Sequence, residues 1–379
     1  MKKKIVFMYL HGIHQLYHSA VVAMELSILQ DEYKIELLSC HPNQTAILNQ
    51  IASLYPQNRC HIVQLPLPFR FKYLNIKKKI YPPPYLTMRF AKKYLIGASA
   101  IVATSHATAR SSKKINITKP KFIYQYHGCG DRKYGFDPKF KDFDFMLLPG
   151  NYHLKRLLEE NVIKKEQTKI IGWPKMDYPI LTKEVKKKLF KNNRPIVLYN
   201  PHWKPSLSSY HIWAEKILTF FSKSSKYNLI FAPHIQIKHW QVKYKYNIDY
   251  DRFKSDNIHI DFGSNQSVNG TYQKIGDIYM GDVSSMIYEF IAYKERPCVL
   301  LNAHKVSWEN DANYRFWQYG PVVDHIEELE SKITEAINTQ SFLELQKKRI
   351  KEYMNLTHEK SSLRAAKAIL NYLKPSDKK

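Results

Sequence analysis

Sixteen histidines occur in this 379-residue chain, and those that fall where an apolar run ends include His127 after 122–126 and His234 after 229–232. Imidazole suits two tasks. The neutral ring takes a proton from a poor nucleophile near pH 7, and the protonated ring offsets charge building on a leaving group. Most histidines in a chain with so many are structural, so position carries the argument, and active residues collect on the edges where strands end. A second group, His11, Gly12, His14 and His18, lies in the first strand-to-helix loop, and His202 in a comparable loop later on. A solvated loop accounts for the first of these groups at least as well as chemistry does. No cysteine or carboxylate accompanies the histidines at ligand spacing, so no metal site is expected.

The other feature with chemistry is the stretch 275–290. An apolar strand stops at Gly281-Asp282, and Ser284 and Ser285 open a helix with apolar Met286, Ile287 and Phe290. The unpaired N–H groups and hydroxyls of a helix start suit a diphosphate. Ordinary N-capping by Asp282 or Ser284, worth about 1 kcal/mol, explains the same residues. Neither a Walker loop nor a GxGxxG fingerprint is present, which argues against an ATPase and against a nicotinamide dehydrogenase.

The elements that must position these residues alternate short apolar runs with longer amphipathic ones, the pattern of βαβ units and parallel sheets. Strands are expected at 5–10, 35–40, 61–65, 100–104, 122–126, 143–148 and 169–172, with helices at 19–29, 44–54, 85–94 and 152–160. The charged stretch 181–194 reads as a helix leading into an interdomain connection. A second series follows: strands at 196–199, 229–232, 258–262, 277–280 and 298–301, helices at 211–221, 284–293 and 326–337, and mostly helix over 342–373. The expected fold is α/β and GT-B-like, with two Rossmann-like domains facing a central cleft. Domain 1–180 faces acceptor and membrane, 181–194 links, 195–345 holds the nucleotide donor, and 346–379 supplies closing helices and a tail.

Composition narrows the class. With 44% hydrophobic and 13% aromatic residues the chain can bury a core in each domain. No apolar run approaches the roughly 20 residues of a membrane span. The start, Met1-Lys2-Lys3-Lys4 before 5–10, has the charge of a signal peptide, but its short run breaks at His11-Gly12 and is read as a strand. Four scattered cysteines without CxxC spacing fit reduced thiols in a cytoplasmic protein. The net charge of +26 is uneven, since no acidic residue occurs between Glu36 and Asp131. Such a field attracts nucleic acid, anionic lipid or a phosphate-rich substrate. A coding bias toward lysine explains part of the excess but not the missing carboxylates. The stretch 69–81, followed by Pro82-Pro83-Pro84, Arg89, Lys92 and Lys93, mixes rings with cations as an interfacial membrane-binding surface does. A solvated basic loop and a nucleic-acid surface use the same residue types.

Asp282-Val283-Ser284-Ser285 resembles the aspartate-x-Ser-Ser signature of CDP-glycerol glycerophosphotransferases, enzymes of teichoic-acid and capsule assembly with a GT-B fold. Other pieces follow in that family's order. Tyr126-His127-Gly128-Cys129-Gly130 with Lys133 resembles its His-Gly element. Gly172-Trp173-Pro174-Lys175-Met176-Asp177 resembles its Gly-aromatic-Pro-basic-x-Asp turn. Asn200-Pro201-His202-Trp203-Lys204 resembles its Pro-Thr-Trp-Arg segment, and Pro233-His234 its Pro-His strand end. Val283, His202, Ala232, Ile235 and Glu289 depart from the commonest pattern.

The resemblance implies His127 as the base on the acceptor hydroxyl and His234 as the group stabilising the diphosphate or leaving nucleotide. It implies a donor site of Asp282, Ser284, Ser285, Glu289, Pro201, Trp203, Lys204, Gly172 and Pro174, with His11, Gly12, His14, His202 and Lys133 nearby or on the acceptor side. The expected reaction moves glycerol phosphate, or another polyol phosphate, from a CDP-activated donor to a glycan or lipid-linked hydroxyl, releasing CMP. No cofactor is required, and Mg²⁺ assistance is compatible with the reading. A GT-B glycosyltransferase using a nucleotide sugar is the nearest alternative, and a nucleic-acid-binding protein the second. The expected location is the cytoplasm, peripheral to the inner face of the membrane.

Overall fold

The computed structural model describes residues 3–68, 81–237 and 248–374. The chain forms two compact units. The first comprises Met1–His127, Phe136–Pro179 and Glu352–Lys379; the second comprises Gly128–Gly135 and Ile180–Lys351.

The first unit is built on seven strands, β1 (Lys3–Tyr9), β2 (Tyr33–Ser39), β3 (Cys60–Gln64), β4 (Ala100–Ala103), β5 (Lys121–Gln125), β6 (Phe145–Leu148) and β7 (Thr168–Ile170). Their order is β3-β2-β1-β4-β5-β6-β7, and every pairing is parallel. Strands covered on both faces read as continuous apolar runs, as in Phe145–Leu148, where every residue is buried. The order reverses between β1 and β4, and in open parallel sheets ligands bind outside the carboxyl ends of the strands at such a point. The helix Leu16–Leu29 follows β1 and is buried along most of its length. Its low amphipathicity has a physical reason: the sheet covers one side, and the helix Ser361–Leu373 packs against it as well.

That last helix brings the chain back to the first unit. Gly172 adopts φ +86°, and a Cβ there would lie 2.4 Å from Ser361 Oγ and 2.7 Å from Asn355 O. Trp173 N–H donates to Ser361 Oγ (3.0 Å), Ser362 N–H to Asp177 Oδ2 (2.6 Å) and Arg364 to Asn355 O (2.6 Å). A further histidine, His153, is fully buried in an aromatic box with Tyr126 and Phe136, its centroid 5.4 and 5.7 Å from theirs. Neither of its ring nitrogens has a hydrogen-bond partner among the described residues.

The second unit repeats the plan with β8 (Ile196–Tyr199), β9 (Asn228–Phe231), β10 (Ile258–Ile260), β11 (Ile278–Gly281), β12 (Cys298–Leu301) and β13 (Val322–Val323). The order is β10-β9-β8-β11-β12-β13, again all parallel, reversing between β8 and β11. Tyr199, Tyr210, Phe221 and Phe231 lie fully buried in its core.

The strands expected from sequence are present within a few residues. Several elements differ from expectation, among them the short helices Asn265–Val268 and Thr271–Ile275, which were not expected. The helix Ala107–Lys114 was not expected, because Ala-Thr-Ala-Arg-Ser-Ser-Lys-Lys has no apolar stripe. The two-residue β13 is too short to leave a pattern. The stretch 342–373 divides into helices Gln340–Tyr353 and Ser361–Leu373, separated by the segment that docks beside Gly172. The basic-aromatic stretch lies outside the described residues over 69–80.

Candidate active site

In the first unit, strand ends at the switch point gather a set of neutral polar groups. His127 stands two residues beyond β5, with Nε2 3.3 Å from Gln15 Nε2 and Nδ1 3.3 Å from Tyr124 Oη. Gln15 is itself oriented, because its carbonyl oxygen accepts from Thr104 Oγ1 at 3.1 Å, just past β4. The amide therefore presents N–H to His127. The neutral ring accepts at one nitrogen and donates at the other, and the Thr104 backbone supplies a further hydrogen bond to it. Burial pushes the pKa of His127 down to about 4, helped by the neighbouring imidazoles of His11 and His106. The ring is thus unprotonated at neutral pH, the state a base needs.

His11, two residues past β1, contacts Ser105 Oγ at 2.7 Å. Its pKa is also lowered, by burial and by His106. Gly12 and His14 are half-buried in the same loop. His18 is buried with its ring centroid 4.8 Å from that of Trp173, and burial and Lys175 hold its pKa well below the ordinary value. Gly172 and Pro174, expected at the donor, stand in this unit, in the turn that receives the C-terminal helix.

In the second unit the arrangement is anchored by a carboxylate. Asp282 directly follows β11 and is 1% exposed. Its Oδ1 accepts from His202 N–H (2.8 Å), and its Oδ2 from Ser209 N–H (2.6 Å) and Ser209 Oγ (2.8 Å). Its oxygens are therefore turned inward to brace the loop after β8. Burial raises its pKa to about 6, against the pull of these hydrogen bonds. Trp317 Nε1 donates to the Asp282 carbonyl (3.2 Å). Ser284 Oγ accepts from Met286 N–H (3.3 Å), while the N-cap position is Ser285, whose side chain makes no capping bond. Ser285 is half-buried beneath the loop Gly128–Gly135, where a Cβ on Gly130 would lie 3.1 Å from Ser285 Cβ.

The braced loop carries Pro201, His202, Trp203 and Lys204. His202 stacks on Trp203, with centroids 5.4 Å apart, and lies 6.4 Å from His234. His234 Nδ1 accepts from Gln236 N–H (3.2 Å), which places the proton of the neutral ring on Nε2. Burial lowers the pKa of His234 to about 4. Lys204 is exposed. His202 Nδ1 accepts from Lys204 N–H (3.1 Å), and its Nε2 is 3.1 Å from an Arg132 guanidinium nitrogen. Glu289 is buried, within electrostatic reach of Cys129, and it helps push the pKa of that thiol up, after burial and Asp131. It is not on a solvent face. Lys133 donates its backbone N–H to Asn313 Oδ1 (3.2 Å).

Sequence reasoning missed Gln15, Thr104 and Tyr124, which orient His127, and Ser209, which completes the Asp282 network. It named Lys133, whereas the side chain that meets His202 is that of its neighbour Arg132. Gln15 adjoins the noted His14, but nothing in the spacing singles it out.

Two parallel sheets of Rossmann order, with polar residues gathered at the switch point of each, are those of a GT-B-like fold. Residues 87–371 match the family CDP-Glycerol:Poly(glycerophosphate) glycerophosphotransferase, and the chain belongs to that family. Comparison with curated proteins gives no match. Among solved structures, the wall teichoic acid polymerase TagF soaked with CDPG superposes with a TM-score of 0.65 at 15% identity, covering 98% of this chain and 89% of that one. The MnaA–UDP structure from S. aureus gives 0.59 at 11% identity, covering 99% and 96%. The UDP-GlcNAc 2-epimerase from Methanocaldococcus jannaschii, with UDP-GlcNAc and UDP, gives 0.61 at 13% identity, covering 98% and 100%. At these identities the likeness establishes the fold, and the family match establishes the transferase.

Proposed function

We propose that the chain transfers glycerol phosphate, or a related polyol phosphate, from a CDP-activated donor to a hydroxyl of a glycan or lipid-linked acceptor. The observation that carries the chemistry is a pair of histidines, His127 and His234, at the carboxyl edges of the two sheets, each held neutral with an oriented ring. His127 Nε2 takes the proton as the acceptor oxygen bonds to the β-phosphorus. The bond from that phosphorus to the bridging oxygen breaks, and CMP leaves with the electron pair. His234 donates Nε2–H toward the diphosphate, alongside Lys204 and the helix start at Ser284 and Ser285. Asp282 acts behind them, by fixing the loop of His202.

No group of three or more His, Cys, Asp or Glu among the described residues is placed to hold a metal. In this reading side chains and helix N–H groups neutralise charge on the diphosphate, and turnover in EDTA compared with added Mg²⁺ tests whether a metal takes part. Incubation with CDP-glycerol against a panel of nucleotide sugars tests the reaction. CMP release with a gain of glycerol phosphate on the acceptor supports it, whereas turnover of a nucleotide sugar with CDP-glycerol inert overturns it.

Peripheral contact with the cytoplasmic face of an anionic membrane belongs to the same reading. No helix among the described residues is long and apolar enough to cross a membrane. The helix Pro84–Leu95 exposes Arg89, Lys92 and Lys93 beside Tyr85, and Ile96 after it is 60% exposed. Such a mix of rings, aliphatics and cations suits anionic headgroups. Co-sedimentation with anionic but not neutral vesicles checks it.

A further inference from the structure

Arg132 lies in the loop Gly128–Gly135, which belongs to the second unit. Three observations set it apart. First, a guanidinium has five N–H donors and no acceptor, yet the one hydrogen-bond contact of its side chain among the described residues is His202 Nε2, at 3.1 Å. No carboxylate among them lies within ion-pair distance of it; Asp282, whose charge it feels, has its oxygens turned to His202 N–H and Ser209. Second, this contact is mismatched. His202 Nδ1 already faces the Lys204 N–H at 3.1 Å, so both ring nitrogens face groups that only donate. A neutral imidazole accepts at one nitrogen and donates at the other, so one of the two contacts is always donor against donor. The proton on Nδ1 opposes Lys204, and the proton on Nε2 opposes Arg132. Third, the side chain is half-buried, and burial costs a cation that lacks an anion.

An oxyanion between Arg132 and His202 resolves all three. It accepts from the guanidinium and from His202 Nε2–H, while Nδ1 keeps its bond from Lys204. His234, with its proton also on Nε2, stands 6.4 Å from His202 between ring centroids. Two imidazole N–H groups and one guanidinium thus converge on the loops after β8 and β9, beside the start of the helix Met286–Tyr293.

We propose that Arg132 is a ligand of the donor's diphosphate, bound jointly with His202 Nε2–H, and that it is released from its contact with His202 when the donor arrives. The proposal rests on the donor reading above and adds a residue and a ligand chemistry to it. A charge-assisted contact from guanidinium to phosphate is among the strong ones and is geometrically specific.

The test is calorimetric titration of CDP and of CMP into the wild-type full-length chain and into Arg132→Gln and Arg132→Lys, with melting curves for each. Expected are a ten- to hundredfold loss of CDP affinity in R132Q, a smaller loss in R132K, a smaller effect on CMP, and unchanged melting. In turnover, the KM for CDP-glycerol rises while the KM for acceptor stays. Binding of CDP by R132Q within twofold of wild type overturns the assignment and leaves the donor reading standing. Absence of CDP binding to the wild type overturns both. An R132Q that melts early, with R132K equally impaired in CDP binding, shows Arg132 to be a brace for its loop and also overturns the assignment.

Discussion

The two sheets have the same order from their third strand to their sixth, yet their carboxyl edges are furnished in opposite ways. In the first unit, His127 is held by an amide and a phenol, both neutral, with His11 and His106 near. In the second, a buried carboxylate organises the edge without facing outward, and the loop it braces presents N–H donors with a guanidinium alongside. In the proposed reading, the neutral frame keeps the His127 ring uncharged, the state asked of a base. A frame that turns the Asp282 carboxylate inward leaves the loop after β8 presenting donors, as the proposed anion site needs. One topology therefore serves two chemistries through the side chains that end its strands.

The comparison is broken most readily at His127. His127→Ala is expected to lower kcat by roughly a hundred- to ten-thousandfold, the usual range for a lost general base, and to leave CDP affinity unchanged. A matching loss of CDP affinity would place His127 on the donor. His234→Ala should do the reverse in part, weakening CDP about tenfold or more by loss of a hydrogen bond to a charged group. Asp282→Ala strands two backbone N–H groups and a hydroxyl in a buried site, costing about 2–4 kcal/mol. Denaturant unfolding and CDP titration should both register it, and Asp282→Asn, which keeps one acceptor, should lose less. Gly172→Ala forces a Cβ onto Ser361 Oγ at φ +86°, costing about 2 kcal/mol or more. Unchanged CDP affinity in that variant would remove Gly172 from the donor site.

With pH, the buried histidines and Asp282 differ in sign. His127 and His234 titrate at about 4 and His153 at about 3, all below the ordinary histidine value because burial disfavours the cation. The unfolded chain binds these protons first, so their contribution to stability is complete above pH ~6.5 and drains away as pH falls toward 4. Asp282 runs the other way. Its pKa of about 6 exceeds the unfolded value, so its contribution is present at low pH and is lost as pH rises through 6. The histidine loss should dominate the midpoint between pH 6.5 and 4, and Asp282→Asn should steepen it slightly. The acid limb of kcat/KM should likewise lie near pH 4 rather than 6.5.

Much of the frame was legible because buried parallel strands must be apolar throughout, and 100–104, 143–148, 196–199 and 298–301 announce themselves in that way. His127 and His234 were legible from where those runs stop. The inward turn of Asp282 was not, since its partners lie 73 and 80 residues away, and side-chain direction in a loop follows no period. The same holds for Arg132 against Lys133: adjacent residues on an irregular loop carry the same charge, and only packing decides which one faces the cluster. Gly172 and Pro174 were legible by resemblance to a motif, whereas the positive φ of Gly172 beside Ser361, a socket for the last helix, was not.

That socket has a consequence for synthesis. The chain leaves its first unit at Pro179 and rejoins it at Glu352. A nascent polypeptide emerging from the ribosome can complete the second sheet while the first still lacks the helix that covers Leu16–Leu29. The second unit is thus free to mature first, and the first closes only when Ser361–Leu373 has been translated. A stop codon placed after 351 should yield a protein that still binds CDP but exposes an apolar groove, to be read by chaperone retention and protease sensitivity confined to the first unit.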